Sequence, residues 1–210
     1  MGIIELLGVA GSVSLLSGWR LYLTIFATGL AMYSGWIDLP ENLKVLDALG
    51  NPWVIGISAV GAGAEFFADK VAWLDSVWDT LHSIIRPVGG ALLALAVVDA
   101  SDPVWQVITF LLGGGAAFMS HATKASARTA VNVSPEPFSN VVVSTGEDIA
   151  TGGLLFLALA NPEIAILVAL ALGALTVYLF FLARRIWKKV RGIFPEGRFD
   201  PEPPENTGQS

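Results

Sequence analysis

The sequence predicts an all-α fold, a polytopic transmembrane helix bundle of about six spans with a further apolar segment at the N-terminus that is either re-entrant or interfacial, or the first part of one long broken helix. Three observations carry that prediction. The 210 residues are 54% hydrophobic and only 14% charged, with a mean hydropathy of +0.64, values outside the range of soluble domains. Apolar stretches of about 20 residues recur along the chain, the length that crosses a bilayer. Ionisable residues sit inside these stretches at helical spacing: His121, Lys124, Arg128 and Asn132; Asp75, Asp79, His82 and Arg86; Glu65 and Asp69. Steps of three and four place each set on one helix face. A charge near the bilayer centre costs roughly 2.5 to 3.5 kcal/mol on insertion scales, so these residues must face partners, water or a ligand.

Taken in order, Ile3 to Leu16 is apolar but short, and Ser17-Gly18 separates it from the first span. The N-terminus lacks the basic region and small-residue cleavage pattern of a secretory signal, so it is expected to be retained. Hydropathy then marks Gly18 to Ile37, Pro52 to Val71, Val77 to Val98, Pro103 to Val131, Ser139 to Ala160 and Glu163 to Ala183. Arg184, Arg185, Lys188, Lys189 and Arg191 follow the last span and place the C-terminus in the cytoplasm of a multi-pass inner (plasma) membrane protein. The connection at Asp38-Leu39-Pro40-Glu41, with Lys44 as its basic residue, and that at Asp99-Ala100-Ser101-Asp102 then fall outside. Residues 1–192 form the transmembrane domain, and the proline-rich, acidic segment 193–210 reads as a disordered cytoplasmic tail. That tail accounts for much of the net charge of -6.

Two related halves, about 1–99 and 103–192, suggest themselves. Gly18-Trp19-Arg20-Leu21-Tyr22 resembles Ser126-Ala127-Arg128-Thr129-Ala130, and Gly63-Ala64-Glu65 resembles Thr145-Gly146-Glu147. Three spans in each half make the halves antiparallel, a plan of secondary transporters.

The candidate residues fall into two groups. Glu65, Asp69, Asp79, His82, Glu136, Glu147 and Asp148 are candidates for binding a substrate ion or protons. Several acids and an imidazole around the corner from Glu65 to His82 offer oxygen and nitrogen to a cation, since hard cations prefer several oxygen ligands; capping and interfacial roles are the competing readings for Asp69, Lys70 and Asp75. Glu147-Asp148 is the strongest signal, because two adjacent acids inside an apolar span cannot both face lipid and point about 100° apart, one toward a partner such as Arg128. Carboxylates taken out of water are suited to carrying protons. Glu136, between Pro135 and Pro137, is held in a stiff loop that is either a ligand loop or a tight turn.

Arg20, Arg86, His121, Lys124, Arg128 and Asn132 are candidates for ion pairing or for binding an anion. Arg86 precedes Pro87 and Gly89-Gly90, where the helix is weakened and the Ser83 carbonyl loses its partner. Gly113-Gly114-Gly115 suits close helix packing. With no cysteine, any metal must be held by oxygen or imidazole and no disulfide forms; the sequence does not specify one, and no cofactor is expected.

The blocks Glu65 to Lys70, Asp75-Ser76-Val77-Trp78-Asp79 with His82 and Ile85-Arg86-Pro87, His121 to Asn140, and Glu147-Asp148 together resemble the bacterial membrane-protein family called domain of unknown function 4126. The resemblance spans nearly all of the chain before the tail and implies a membrane location without an activity. Glu65 with Asp69-Lys70 is also faintly similar to the Glu-x-Gly-Asp-(Lys or Arg)-(Thr or Ser) motif of calcium and manganese/proton exchangers. The spacing is one residue longer here, Ala68 and Val71 replace the glycine and the hydroxyl residue, and no second copy is evident.

The leading expectation is a transporter or exchanger of a small cation, proton-coupled through Glu65, Asp79, Glu147 or Asp148. An anionic (phosphorylated) lipid carrier or flippase using Arg20, Arg86, Lys124 and Arg128 is the alternative, and a non-transporting scaffold the third. An enzyme is not expected, since there is no His-Glu-x-x-His string and no histidine near an evident nucleophilic serine. The bilayer and a small ion or lipid head group are the expected partners. Nucleic acid is not, and a homo-oligomer is compatible with the sequence.

Overall fold

The computed structural model describes residues 3–35, 48–98, 102–132 and 137–193. Among these residues the secondary structure is helical, with α1 (Ile3–Trp19), α2 (Leu21–Tyr33), α3 (Pro52–Ala68), α4 (Ala72–Val98), α5 (Pro103–Asn132), α6 (Pro137–Ala160) and α7 (Pro162–Ile193). Proline opens α3, α5, α6 and α7, where its missing N–H leaves no partner wanting. Asn51 and Asp102 accept from the N–H groups of Trp53 and Val104 at 2.9 and 2.7 Å, capping α3 and α5. Gly35, at φ 65°, ends α2 in the left-handed conformation that glycine adopts without cost. Because α6 begins at Pro137, its first turn already contains Ser139 and Asn140.

Four helices, α4 to α7, are long and apolar enough to cross a membrane, and α1, α2 and α3 are shorter apolar helices. The protein is thus a membrane-embedded helical bundle. Its exterior is apolar: Trp53, Val60 and Ile84 are 75–80% exposed. Its interior holds the charges, the reverse of a soluble domain.

The N-terminal apolar segment follows the second of its two expected readings, the first part of a helix that breaks, here at Arg20. It is neither interfacial nor peripheral: α1 packs against α4, α5, α6 and α7, and Val9, Val13 and Leu16 are fully buried. The physical reason lies in its composition. Apolar and small residues cover every face of α1, so no face prefers water, and the small residues let backbones touch. A Cβ at Gly8 would collide with the backbone of Ile166, and one at Gly18 with the carbonyl of Ala117. Its serines are satisfied across helices: Ser12 donates to the Ala165 carbonyl (3.0 Å) and Ser14 to that of Gly90 (3.2 Å), while Ser120 donates to the Leu15 carbonyl (2.7 Å).

The expected span Gly18 to Ile37 is likewise not one helix. Arg20, with φ -143° and ψ 81°, separates the 17-residue α1 from the 13-residue α2. The discontinuity expected near Pro87 is therefore found at Arg20 instead, and α4 runs unbroken through Pro87. α2 then leaves the bundle interior alongside an antiparallel α3, with Tyr22 against Gly61 and Gly29 against Leu49 and Ile55, and α3 returns to the interior at Glu65. Four helices precede residues 99–101 and three follow. Of the triple glycine, Gly113 meets Ala94 and Gly114 meets Pro87, whereas Gly115 faces open space. Glu136, the loop around Lys44 and the C-terminal tail lie outside the described residues.

Gly18→Ala is expected to destabilise the protein by about 1–3 kcal/mol, because the new methyl has only backbone and a packed side chain to displace. Gly115→Ala should stay within about 0.5 kcal/mol. Thermal melts of both variants in one detergent compare them directly.

Candidate functional site: a buried ion network

The helix break delivers backbone as well as side chains to the interior. Ending α1 at Trp19 leaves its last carbonyls without intrahelical partners. Lys124 Nζ donates to the Trp19 carbonyl at 3.0 Å, and Arg86 Nη1 lies 3.4 Å from that of Gly18. Cations at a helix C-terminus also meet the negative end of its dipole.

Around this break lie two connected clusters. The first centres on Arg20, which is fully buried. Its Nη1 pairs with Asp69, its Nη2 donates to the Ser144 carbonyl (3.0 Å) and hydroxyl (3.1 Å) and reaches Glu147 (3.3 Å), and its Nε meets Asp148 (3.1 Å). Lys124 adds a second cation to Asp69 at 3.1 Å and stands 3.7 Å from Glu147. Arg128 caps this cluster from the end of α5, gripping both oxygens of Asp75 at 3.1–3.3 Å and the Asp69 carbonyl. Lys70 stands at the rim, donating to the Ser144 hydroxyl (3.2 Å) with its ammonium over the Phe66 ring.

The second cluster centres on Arg86, also fully buried. Its Nη2 donates to Glu65 at 2.6 Å, and its Nη1 to Asp79 at 3.2 Å and to His121 Nδ1 at 2.7 Å. Since guanidinium only donates, His121 Nδ1 accepts, and its proton sits on Nε2, which donates to the Asp79 carbonyl (3.1 Å). His121 is thereby held as one neutral tautomer. In His82, Nδ1 donates to the Trp78 carbonyl (2.7 Å) and Nε2 shares a hydrogen bond with the Tyr22 hydroxyl (3.1 Å), with the imidazole stacked on Trp78.

The structure brings Arg20, Glu65, Asp69, Asp79, Arg86, His121, Lys124 and Arg128 together in the bundle interior, with Glu147 and Asp148 partly exposed beside them. The pairings differ from those expected. Arg128 binds Asp75 rather than Glu147 or Asp148, and both of those acids reach Arg20. Adjacent positions on α6 diverge, but a guanidinium presents Nε and Nη2 far enough apart to meet both. Nor do the corner acids pool as a metal cage: among the described residues no three acids or histidines group to hold a metal ion, because the acids are drawn to arginine and lysine, Glu65 and Asp79 to a shared Arg86. Asp69 and Asp75 are fully buried rather than interfacial. The side chain of Asn132, the last residue of α5, lies outside the described residues, as does Glu136.

Asp75 was weighed between a corner acid and a helix cap, while Ser144 and the two carbonyls of the break were not singled out. Asp75 had a usable signal, four residues before Asp79 on one face; Ser144 had none.

A family model covers residues 7–182, described as a domain of unknown function (DUF4126), and that range contains every member of both clusters. The chain belongs to the DUF4126 family. No curated protein and no solved structure matches it. The DUF4126 network holds six carboxylates, Glu65, Asp69, Asp75, Asp79, Glu147 and Asp148, against four buried cations, Arg20, Arg86, Lys124 and Arg128, with Lys70 at the rim. Three carboxylate oxygens, Glu65 Oε2, Asp69 Oδ1 and Asp148 Oδ2, are buried without a hydrogen-bond partner.

Arg86→Met is expected to cost about 3–5 kcal/mol by stranding Glu65 and Asp79 without a countercharge. Adding Glu65→Gln to it should recover part of that loss. A double-mutant cycle on thermal stability in detergent reads the coupling directly.

Proposed function

We propose that this protein is an integral membrane transporter or exchanger of a small cation, coupled to protons through its intramembrane carboxylates. The observation that carries the proposal is the interrupted helix at Arg20, whose freed ends open onto a buried network with more acids than bases. Discontinuous helices at the centre of a bundle are how transporters present backbone dipoles to ions. An excess of acid creates a place for a proton or another cation, and the partnerless carboxylate oxygens are where it would sit.

Access supports the same reading. A polar cavity of about 190 Å³ between α4 and α5 is lined by Asp75, Asp79, Ser83 and Arg128. A second cleft between α2, α3 and α6 reaches Glu65 and Asp148. Arg86 bridges Glu65 and Asp79, so each opening touches one carboxylate of the same arginine. Neutralising one acid frees Arg86 to lean on the other, a local switch of the kind that alternating exposure requires.

A phosphate carrier is less well supported, because Arg20, Arg86, Lys124 and Arg128 are already engaged by carboxylates and carbonyls and offer an anion little. Static glue would leave no acid in excess. Glu147 is the most loosely held of the carboxylates, at 3.3 and 3.7 Å from its cations, which suits a group that exchanges partners. The basic end of α7, Arg184 to Lys188, belongs on the cytoplasmic side of an inner membrane.

In proteoliposomes with an imposed pH gradient, the protein should move protons against at least one member of a cation series made of sodium, potassium, calcium, manganese and a primary alkylammonium. Glu147→Gln should lower that flux at least tenfold while keeping the melting temperature. Wild-type-like flux in that variant, or an inert wild type across the cation series, would sink the assignment. Because the chain contains no cysteine, Ser210→Cys offers a single label site, and labelling in spheroplasts should require membrane permeabilisation.

A further inference from the structure

The second cleft has a chemistry that a bare metal ion would not use. It measures about 300 Å³ and is lined by Leu23, Ala62, Glu65, Phe66, Asp148 and Ile149, within the lower range of small-molecule sites. Four of these six residues are apolar and the other two are acids. Glu65 is 1% exposed. Its Oε1 is taken by Arg86, and its Oε2 is buried without a hydrogen-bond partner. Asp148 repeats the pattern, with Oδ1 on Arg20 Nε and Oδ2 buried without one. Buried acceptors of this kind are costly unless something donates to them.

A donor of the right type already stands beside the cleft. The Lys70 ammonium lies 3.2 Å from the centroid of the Phe66 ring, so that ring face accommodates a primary ammonium on an alkyl stem. A hydrated inorganic ion gains nothing from the walls supplied by Leu23, Ala62 and Ile149, and the described residues lack a group of three acids or histidines to strip its water. An alkylammonium uses both features: its N–H donors reach the enclosed Glu65 and Asp148 oxygens when a small shift of the cleft wall uncovers them, and its apolar body suits the walls.

We propose that this cleft binds a primary ammonium group attached to an apolar body. The inference deepens the cation reading above by naming an organic ammonium as the substrate class, and it rests on that reading for its transport meaning alone. Ile149 is 71% exposed on the lipid-facing surface, so the ammonium can arrive on a free amine or on the head group of an aminophospholipid.

The test is a binding measurement on the full chain in an uncharged maltoside detergent, with n-butylammonium chloride as the probe and butanol and sodium chloride as controls. Saturable thermal stabilisation by butylammonium alone is expected. Its apparent affinity should weaken at least tenfold in Asp148→Asn and in Ala62→Phe. The second variant fills the cleft without touching a charge, and its melting temperature without ligand reports that it folds. Absence of saturable stabilisation in the wild type, or wild-type affinity in folded Ala62→Phe, would overturn the proposal. Displacement of butylammonium by added phosphatidylethanolamine but not phosphatidylglycerol assigns the ammonium to lipid, and lack of displacement assigns it to a free amine. Butylammonium binding by a protein that moves no ions would retire the transporter and keep the cleft; ion flux without butylammonium binding would do the reverse.

Discussion

Everything in the interior answers to the burial of Arg20. A guanidinium cannot be deprotonated and cannot be left unpaired in a bilayer, so five donors must find oxygen. α3 brings Asp69 to its end, and α6 brings Ser144, Glu147 and Asp148. Those acids exceed what one cation needs, and α5 supplies Lys124 and Arg128 to the surplus. The corner between α3 and α4 is held by the same demand, since Arg128 binds the Asp69 carbonyl on one side of it and Asp75 on the other. One residue with non-helical backbone thereby sets where three other elements must converge.

The cost of this arrangement is met by packing as much as by charge. Buried ion pairs repay their desolvation only with good geometry and full hydrogen bonding. Here α1 approaches its neighbours closely enough for backbone to meet backbone at Gly8 and Gly18. The serines along α1 extend polar satisfaction below the network without adding further charge. Among the described residues the buried atoms without a hydrogen-bond partner lie on both sides of the network, Glu65 Oε2, Asp69 Oδ1 and Asp148 Oδ2 on the acids and Arg86 Nε on the cations.

Much of this was legible in the residues themselves. Charges at helical spacing within apolar runs announce a polar interior, and that logic found ten members of the two clusters. Pairing was not legible, because spacing fixes the face of one helix and says nothing about which neighbour it meets; Arg128 and Asp75 illustrate this. The choice between the two readings of α1 stayed open for a related reason. Length sets whether a helix spans, but enclosure depends on residue size, and the run of glycine, alanine and serine in α1 carried that information. A break after Ser17-Gly18 was among the readings of the sequence, but its exact place at Arg20 was not legible, because no proline marks it.

The central position of α1 has a further consequence for how the molecule is assembled. Chains are made from the N-terminus, so α1 leaves the ribosome before the partners that come to surround it. Until α4, α5 and α7 arrive, its serines and the glycine faces lie open to lipid or to the insertion machinery, and Arg20 waits without its acids. Completion of the bundle is therefore an act of enclosure in which late helices close around an early one. The last partner, α7, must be synthesised before the first helix acquires its final surroundings.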